Sequence, residues 1–110
     1  MCSSDLALRL GCSMESCRFA LRVLTAQQHR DALPALLPPA AVVANKPGLG
    51  WSDLGDVGVL YRDGAPLVIL AVYLDAIPKT TTDGLPGVAL ARTNVARLAR
   101  ACWDALVVDR

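Results

Sequence analysis

Aromatic side chains are scarce in this chain: Phe19, Trp51, Tyr61, Tyr73 and Trp103 make up 5% of it. So few rings argue against a stacking platform for bases or sugars. Histidine is represented by His29 alone, and Cys2, Cys12, Cys17 and Cys102 form no Cys-x-x-Cys pair. That combination argues against a zinc site, and no metal or cofactor is expected. The thiols read as core or incidental residues. Charge of one sign is missing too. The net charge of +1 gives no reason to expect nucleic acid or an anionic membrane as partner. The longest apolar run, Leu67 to Leu74, is far too short to span a bilayer. The start, Met1-Cys2-Ser3-Ser4-Asp5, has neither the basic region nor the apolar run of a secretory signal.

Nucleophile and phosphate motifs are also lacking. Ser3, Ser4, Ser13, Ser16 and Ser52 are followed three residues on by Leu6, Ala7, Ser16, Phe19 and Gly55, so no Ser-x-x-Lys exists. Gly48-x-Gly50-x-x-Asp53 lacks the third glycine of a dinucleotide fingerprint. Gly50-Trp51-Ser52-Asp53-Leu54 lacks the last glycine of a nucleophile elbow.

What the chain has in quantity is aliphatic bulk. At 110 residues it is one domain at most, yet 54% of it is hydrophobic and its mean hydropathy is +0.40. Apolar surface in that excess points to a covering partner, either a second subunit or the rest of a larger fold. Cys2-Ser3-Ser4-Asp5-Leu6 reads as a translated sequencing-adaptor remnant. Residues 1–11 are accordingly expected to be a non-native or truncated start, with 12–110 the portion of a larger domain.

Periodicity supplies the elements. Asp5 to Leu10 reads as the end of a helix stopped by Gly11. Ser13 is placed as an N-cap, with Glu15 in the first turn, and a helix is predicted from Met14 to about Gln28 with Cys17, Ala20, Leu21 and Leu24 on one stripe. His29 then sits at or past the helix end as a solvated residue. Leu33 to Pro39 is a proline-punctuated connection. Ala40 to Asn45 reads as a strand that runs into a buried lysine, with Lys46 to Asp56 as loop or strand end. Val57 to Tyr61 is a second strand, Asp63-Gly64 a hairpin turn, and Leu67 to Leu74 a third strand covered on both faces. A long loop from Asp75 to Gly87 leads to an amphipathic helix with Val88, Ala91, Val95, Leu98, Cys102 and Leu106 on its apolar stripe. The expected class is α+β: three antiparallel strands packed against an N-terminal and a C-terminal helix.

The most informative segment is Val42-Val43-Ala44-Asn45-Lys46-Pro47-Gly48. Taken alone, Lys46 is a strand-end lysine whose ammonium reaches solvent. Its neighbours supply a context: Cys12-Ser13-Met14-Glu15-Ser16 opening a helix, Gln27-Gln28-His29-Arg30-Asp31-Ala32-Leu33-Pro34 closing it, then Leu37-Pro38-Pro39, Asp56-Val57-Gly58-Val59 and Leu70-Ala71-Val72-Tyr73. In that order the chain resembles the C-terminal half of class A β-lactamase-related serine hydrolases, the superfamily of β-lactamases and penicillin-binding proteins. Lys46-Pro47-Gly48 stands where that family carries Lys-Thr-Gly.

The resemblance implies part of the β-lactamase/transpeptidase-like fold and acyl transfer through a serine nucleophile, on an amide, ester or β-lactam. It gives Lys46 an electrostatic catalytic role and Leu49, through its N–H, half of an oxyanion hole. Gly48 and Gly50 would let the substrate approach the backbone. It implies a missing N-terminal half as partner, no activity in the isolated chain, and a periplasmic or extracellular, bacterial parent. Pro47 departs from the pattern, for it removes the hydroxyl and N–H that threonine supplies for a substrate carboxylate. The rival expectation, from the helix–strands–helix order alone, is an interaction or dimerisation module without catalysis.

Overall fold

The computed structural model describes residues 11–108. The helix end expected over 5–10, and the reading of 1–11 as a start segment apart from Gly11, lie outside the described residues.

The first helix, α1 (Met14–Thr25), begins where its cap predicts. Ser13 is extended, and its Oγ accepts from the N–H of Ser16 at 3.0 Å. The helix ends three residues short of the expected Gln28. The N–H of Ala26 is shared between the carbonyls of Arg22 and Val23, both at 3.1 Å. Beyond it Gln27, Gln28, His29 and Arg30 carry no apolar group to bury, and the Gln27 side chain accepts instead from the N–H of His29. Of the expected stripe Cys17 alone is buried, Leu21 and Leu24 are half-buried, and Ala20 is exposed.

Three strands follow, β1 (Ala41–Leu49), β2 (Leu54–Arg62) and β3 (Ala65–Leu74), in spatial order β1-β2-β3 and antiparallel throughout. β1 does not stop at Asn45 as expected. Pairing continues through Lys46↔Val57, Pro47↔Asp56, Gly48↔Gly55 and Leu49↔Leu54. The glycines of this stretch are strand residues because the ladder, not local propensity, sets their conformation. The β2–β3 turn is the one the sequence calls for. Asp63 (φ 52°) and Gly64 (φ 78°) both adopt the left-handed region that a two-residue hairpin needs. Gly58 has another constraint. A Cβ there would lie 2.9 Å from the Ala44 carbonyl oxygen and 2.9 Å from the Asn45 Cβ.

The last helix, α2 (Gly87–Val108), packs on β2 and β3. Its buried stripe is Ala91, Val95, Ala99 and Trp103, with Ala96 beside it. This is rotated from the expected stripe: Leu98 is half-exposed, while Cys102 and Leu106 are half-buried. Small alanines set close to the sheet leave the larger Leu98 outside, a choice made by packing distance and not by hydrophobicity. One core cluster joins Ala32, Leu33, Leu54, Ala91, Val95 and Ala99; the other joins Val43, Leu60 and Trp103. The loop before α2 is tied down by Thr81 N–H to the Leu85 carbonyl and Gly87 N–H to the Lys79 carbonyl. No helix among the described residues is long and apolar enough to cross a membrane.

The side of the sheet that faces α2 is therefore filled, and much of the other side is not. β3 was expected to be covered on both faces, but Ile69 is 64% and Tyr73 73% exposed. With Val42 and Val57 they form an apolar patch left exposed on this face, although Ala44, two residues from Val42 on the same face, is buried. An unbroken apolar run signals two faces to bury; it does not say that this chain supplies both covers.

Candidate functional site

The site builds outward from β1, an outer strand of the sheet. Alternation along a strand places Lys46 and Gly48 on the open face and Asn45, Pro47 and Leu49 on the helix side. Lys46 is exposed, as a strand-end lysine reaching solvent would be, and is not the buried lysine also expected. Its ammonium folds back to donate to the Pro47 carbonyl at 2.6 Å.

The ladder decides where the backbone donors point. Gly50 N–H donates to the Asp53 carbonyl at 2.9 Å. Bonded and non-bonded pairs alternate in an antiparallel ladder, so Gly48↔Gly55 and Lys46↔Val57 are bonded pairs while Leu49↔Leu54 and Pro47↔Asp56 are not. The N–H of Leu49 is thus turned away from β2 toward the outer edge of the sheet. Proline at position 47 costs the ladder no hydrogen bond, since the N–H it lacks would have faced that same edge.

Around Lys46 lies an open depression of about 470 Å³, bounded by Gly48, Gly50, Asp53, Val57 and Tyr73. Gly48 faces open space, so backbone approach there is unhindered. Gly50 has an internal reason to be glycine, for a Cβ would collide with the Asp53 carboxylate. The Tyr73 ring lies against Gly55, where a Cβ would come within 2.9 Å of it. Lys46, Gly48 and Gly50 are therefore gathered at one depression, with the Leu49 backbone at its border.

Behind the same strand end is a second depression of about 280 Å³, lined by His29, Asp31, Ala32, Leu54 and Arg92. Residues 47–49 border both hollows and form the partition between them. Arg92 pairs with Asp31 at 3.3 Å on its rim. His29 is exposed, as expected of a residue beyond the helix end.

A buried polar group supports this strand, and the sequence reasoning missed it. Asp56 is fully buried and accepts from the Leu33 N–H at 3.0 Å and from Asn45 Nδ2 at 3.1 and 3.2 Å. One carboxylate thus ties the 31–37 connection, β1 and β2 together. Asn45 Oδ1 has no hydrogen-bond partner. The available signal was a polar residue inside each of two apolar strands, Asn45 after Val43-Ala44 and Asp56 between Leu54 and Val59.

A family model described as the β-lactamase enzyme family matches residues 4–106. The β-lactamase of Sphaerobacter thermophilus DSM 20745 superposes with a TM-score of 0.71 over 93% of this chain, at 23% identity. The structure of PBP-A gives a TM-score of 0.71 over 93% of the chain at 19% identity. A mutant of the last common ancestor of Gram-negative bacteria class A β-lactamase gives 0.68 over 96% at 26% identity. The chain spans 37%, 37% and 36% of those three chains, respectively. No curated protein matches it. The three-strand sheet and its two helices are thus part of the β-lactamase/transpeptidase-like fold, and with the family model covering nearly its whole length, this chain belongs to the β-lactamase enzyme family.

Proposed function

We propose that this chain supplies the lysine-bearing wall of a serine-hydrolase active site and performs acyl transfer only together with a serine-bearing portion outside it. The observation that carries this is the outer strand itself, where Lys46 stands on the open face and the Leu49 N–H points past the sheet edge. In acyl transfer a serine oxygen attacks the carbonyl carbon and the carbonyl oxygen gains negative charge. The Leu49 N–H, in a strand held rigid by β2, is one donor to that oxygen. The Lys46 ammonium, released from the Pro47 carbonyl, adds positive charge beside substrate and nucleophile. Water then cleaves the acyl-enzyme.

Partner and substrate follow from the same surfaces. The apolar face of Val42, Val57, Ile69 and Tyr73 is covered by the missing N-terminal portion, which brings the nucleophile over Lys46. Pro47 offers no hydroxyl to a substrate carboxylate, and Asp53 lines the depression with negative charge. The substrate favoured is a neutral ester or amide over a penicillin.

The test mixes the chain with an N-terminal portion of a family member carrying Ser-x-x-Lys and Ser-Asp-Asn. Acylation is read with a fluorescent penicillin and a chromogenic neutral ester. The chain alone is expected to be inert, and the pair to turn over the ester faster than the penicillin. Lys46→Ala should lower the acylation rate by about 10²–10³-fold, the scale of losing one electrostatic contact to the transition state. A reconstituted pair indifferent to Lys46→Ala, or acylation of the chain by itself, would sink the proposal.

A further inference from the structure

We infer that Cys12 and Cys17 are a dithiol that closes reversibly to a disulfide and clamps the first turn of α1. The two Sγ atoms are hydrogen-bonded at 3.0 Å, about 1 Å beyond disulfide length, with no disulfide between them. The proximity is built by the helix start. Ser13 is the N-cap, so Cys12 occupies the position before the cap and Cys17 the fourth helical position, the two sites that pair across a helix start as a hydrophobic staple. The Ser13 carbonyl receives the Cys17 N–H at 3.0 Å and its Oγ receives the Ser16 N–H at 3.0 Å, which holds the intervening turn.

Cys17 is the one buried residue of α1, while Phe19 and Val23 on the same helix are more than half exposed. A twelve-residue helix with so little buried is marginal by its own propensity, so a covalent clamp at its start has leverage. That helix packs against β1, the strand of Lys46. The bond therefore stiffens one flank of the candidate site, although the inference holds whether or not the chain serves a hydrolase.

The oxidant is a low-molecular-weight disulfide such as oxidised glutathione. Cys12, half-buried and the more accessible of the pair, attacks one of its sulfurs as thiolate and releases one small thiol. Cys17 then attacks the Cys12 sulfur of the mixed disulfide, forming the Cys12–Cys17 bond and releasing the second small thiol. Two electrons and two protons pass from the protein to the two small thiols.

The experiment uses the full chain with Cys2→Ser and Cys102→Ser, equilibrated in glutathione redox buffers, acid-quenched and resolved by mass and peptide mapping. The expected product has lost two hydrogens and carries the Cys12–Cys17 link. Its oxidation constant should be at least about tenfold larger in buffer than in guanidinium, within the usual span of coupled equilibria. By the same cycle the oxidised chain should unfold at higher urea. Ser13→Ala, which touches neither sulfur, should lower the constant in buffer and leave it unchanged in denaturant. Equal constants in the two solvents, stable glutathione adducts in place of the link, or a lower urea midpoint on oxidation would each overturn the inference.

Discussion

Replacing Asp56 by alanine tests the buried tie behind the candidate site. Two donors lose their acceptor: the Leu33 N–H, bonded at 3.0 Å, and Asn45 Nδ2, bonded at 3.1 and 3.2 Å. Hydrogen bonds to a charged group contribute about 1.5–3 kcal/mol each, which makes the gross loss about 3–6 kcal/mol. Part is returned, because the variant no longer holds a carboxylate in a fully buried site, where desolvation opposes the charge. A net destabilisation of about 2–4 kcal/mol results, within the range of unsatisfied buried polar groups. For a chain of this size that is a large share of the roughly 5–15 kcal/mol typical of folded domains. With a urea slope near 1.5 kcal/mol/M the midpoint should fall by about 1.5–2.5 M. The assay is urea unfolding followed by circular dichroism, with amide exchange at Leu33 as local readout. Asn45→Ala and the double variant complete a cycle in which the double loss is smaller than the sum of the single losses by about 1 kcal/mol. An unchanged midpoint for Asp56→Ala, with Leu33 still protected, would refute the assignment of Asp56 as the tie.

Gly58→Ala pushes a methyl group to within 2.9 Å of the Ala44 carbonyl, and a paired strand cannot retreat without loosening the β1–β2 ladder. Its expected cost is about 1–3 kcal/mol in urea unfolding, and a neutral result would show that β1 is free to shift. On the open face, Ile69→Thr and Tyr73→Thr should reduce the fluorescence of a bound apolar dye while moving stability by no more than about 0.5 kcal/mol, as exposed positions do. Undiminished dye binding would mean that this face is not the exposed apolar surface. Both variants should also weaken association with the serine-bearing portion, read as a rise in the dissociation constant.

Element type was legible wherever short-range rules decide it. Ser13 announced the start of α1, Asp63-Gly64 the hairpin, and the spaced apolar residues after Gly87 the last helix. Boundaries were less legible. Lys46 to Leu49 read as loop or strand end, because glycine and proline are poor strand formers, and register with Leu54 to Val57 makes them strand. The stripe of α2 was misplaced by part of a turn, because hydrophobicity alone favours Leu98 over Ala99 whereas contact with the sheet favours the smaller residue.

The same division holds for the site. Composition, spacing and the run of residues around Lys46-Pro47-Gly48 were enough to indicate the family, the absence of a nucleophile motif and an excess of apolar surface. Those are properties of residue types and their order, so they can be read along the chain. Tertiary structure alone decided that the Leu49 N–H turns away from β2, that Gly50 answers to Asp53, and that Asp56 holds Asn45 and Leu33. Each of these depends on which residue lies opposite in the ladder or across the core. Such pairings join positions distant along the chain, and only their combined burial and hydrogen bonding selects them.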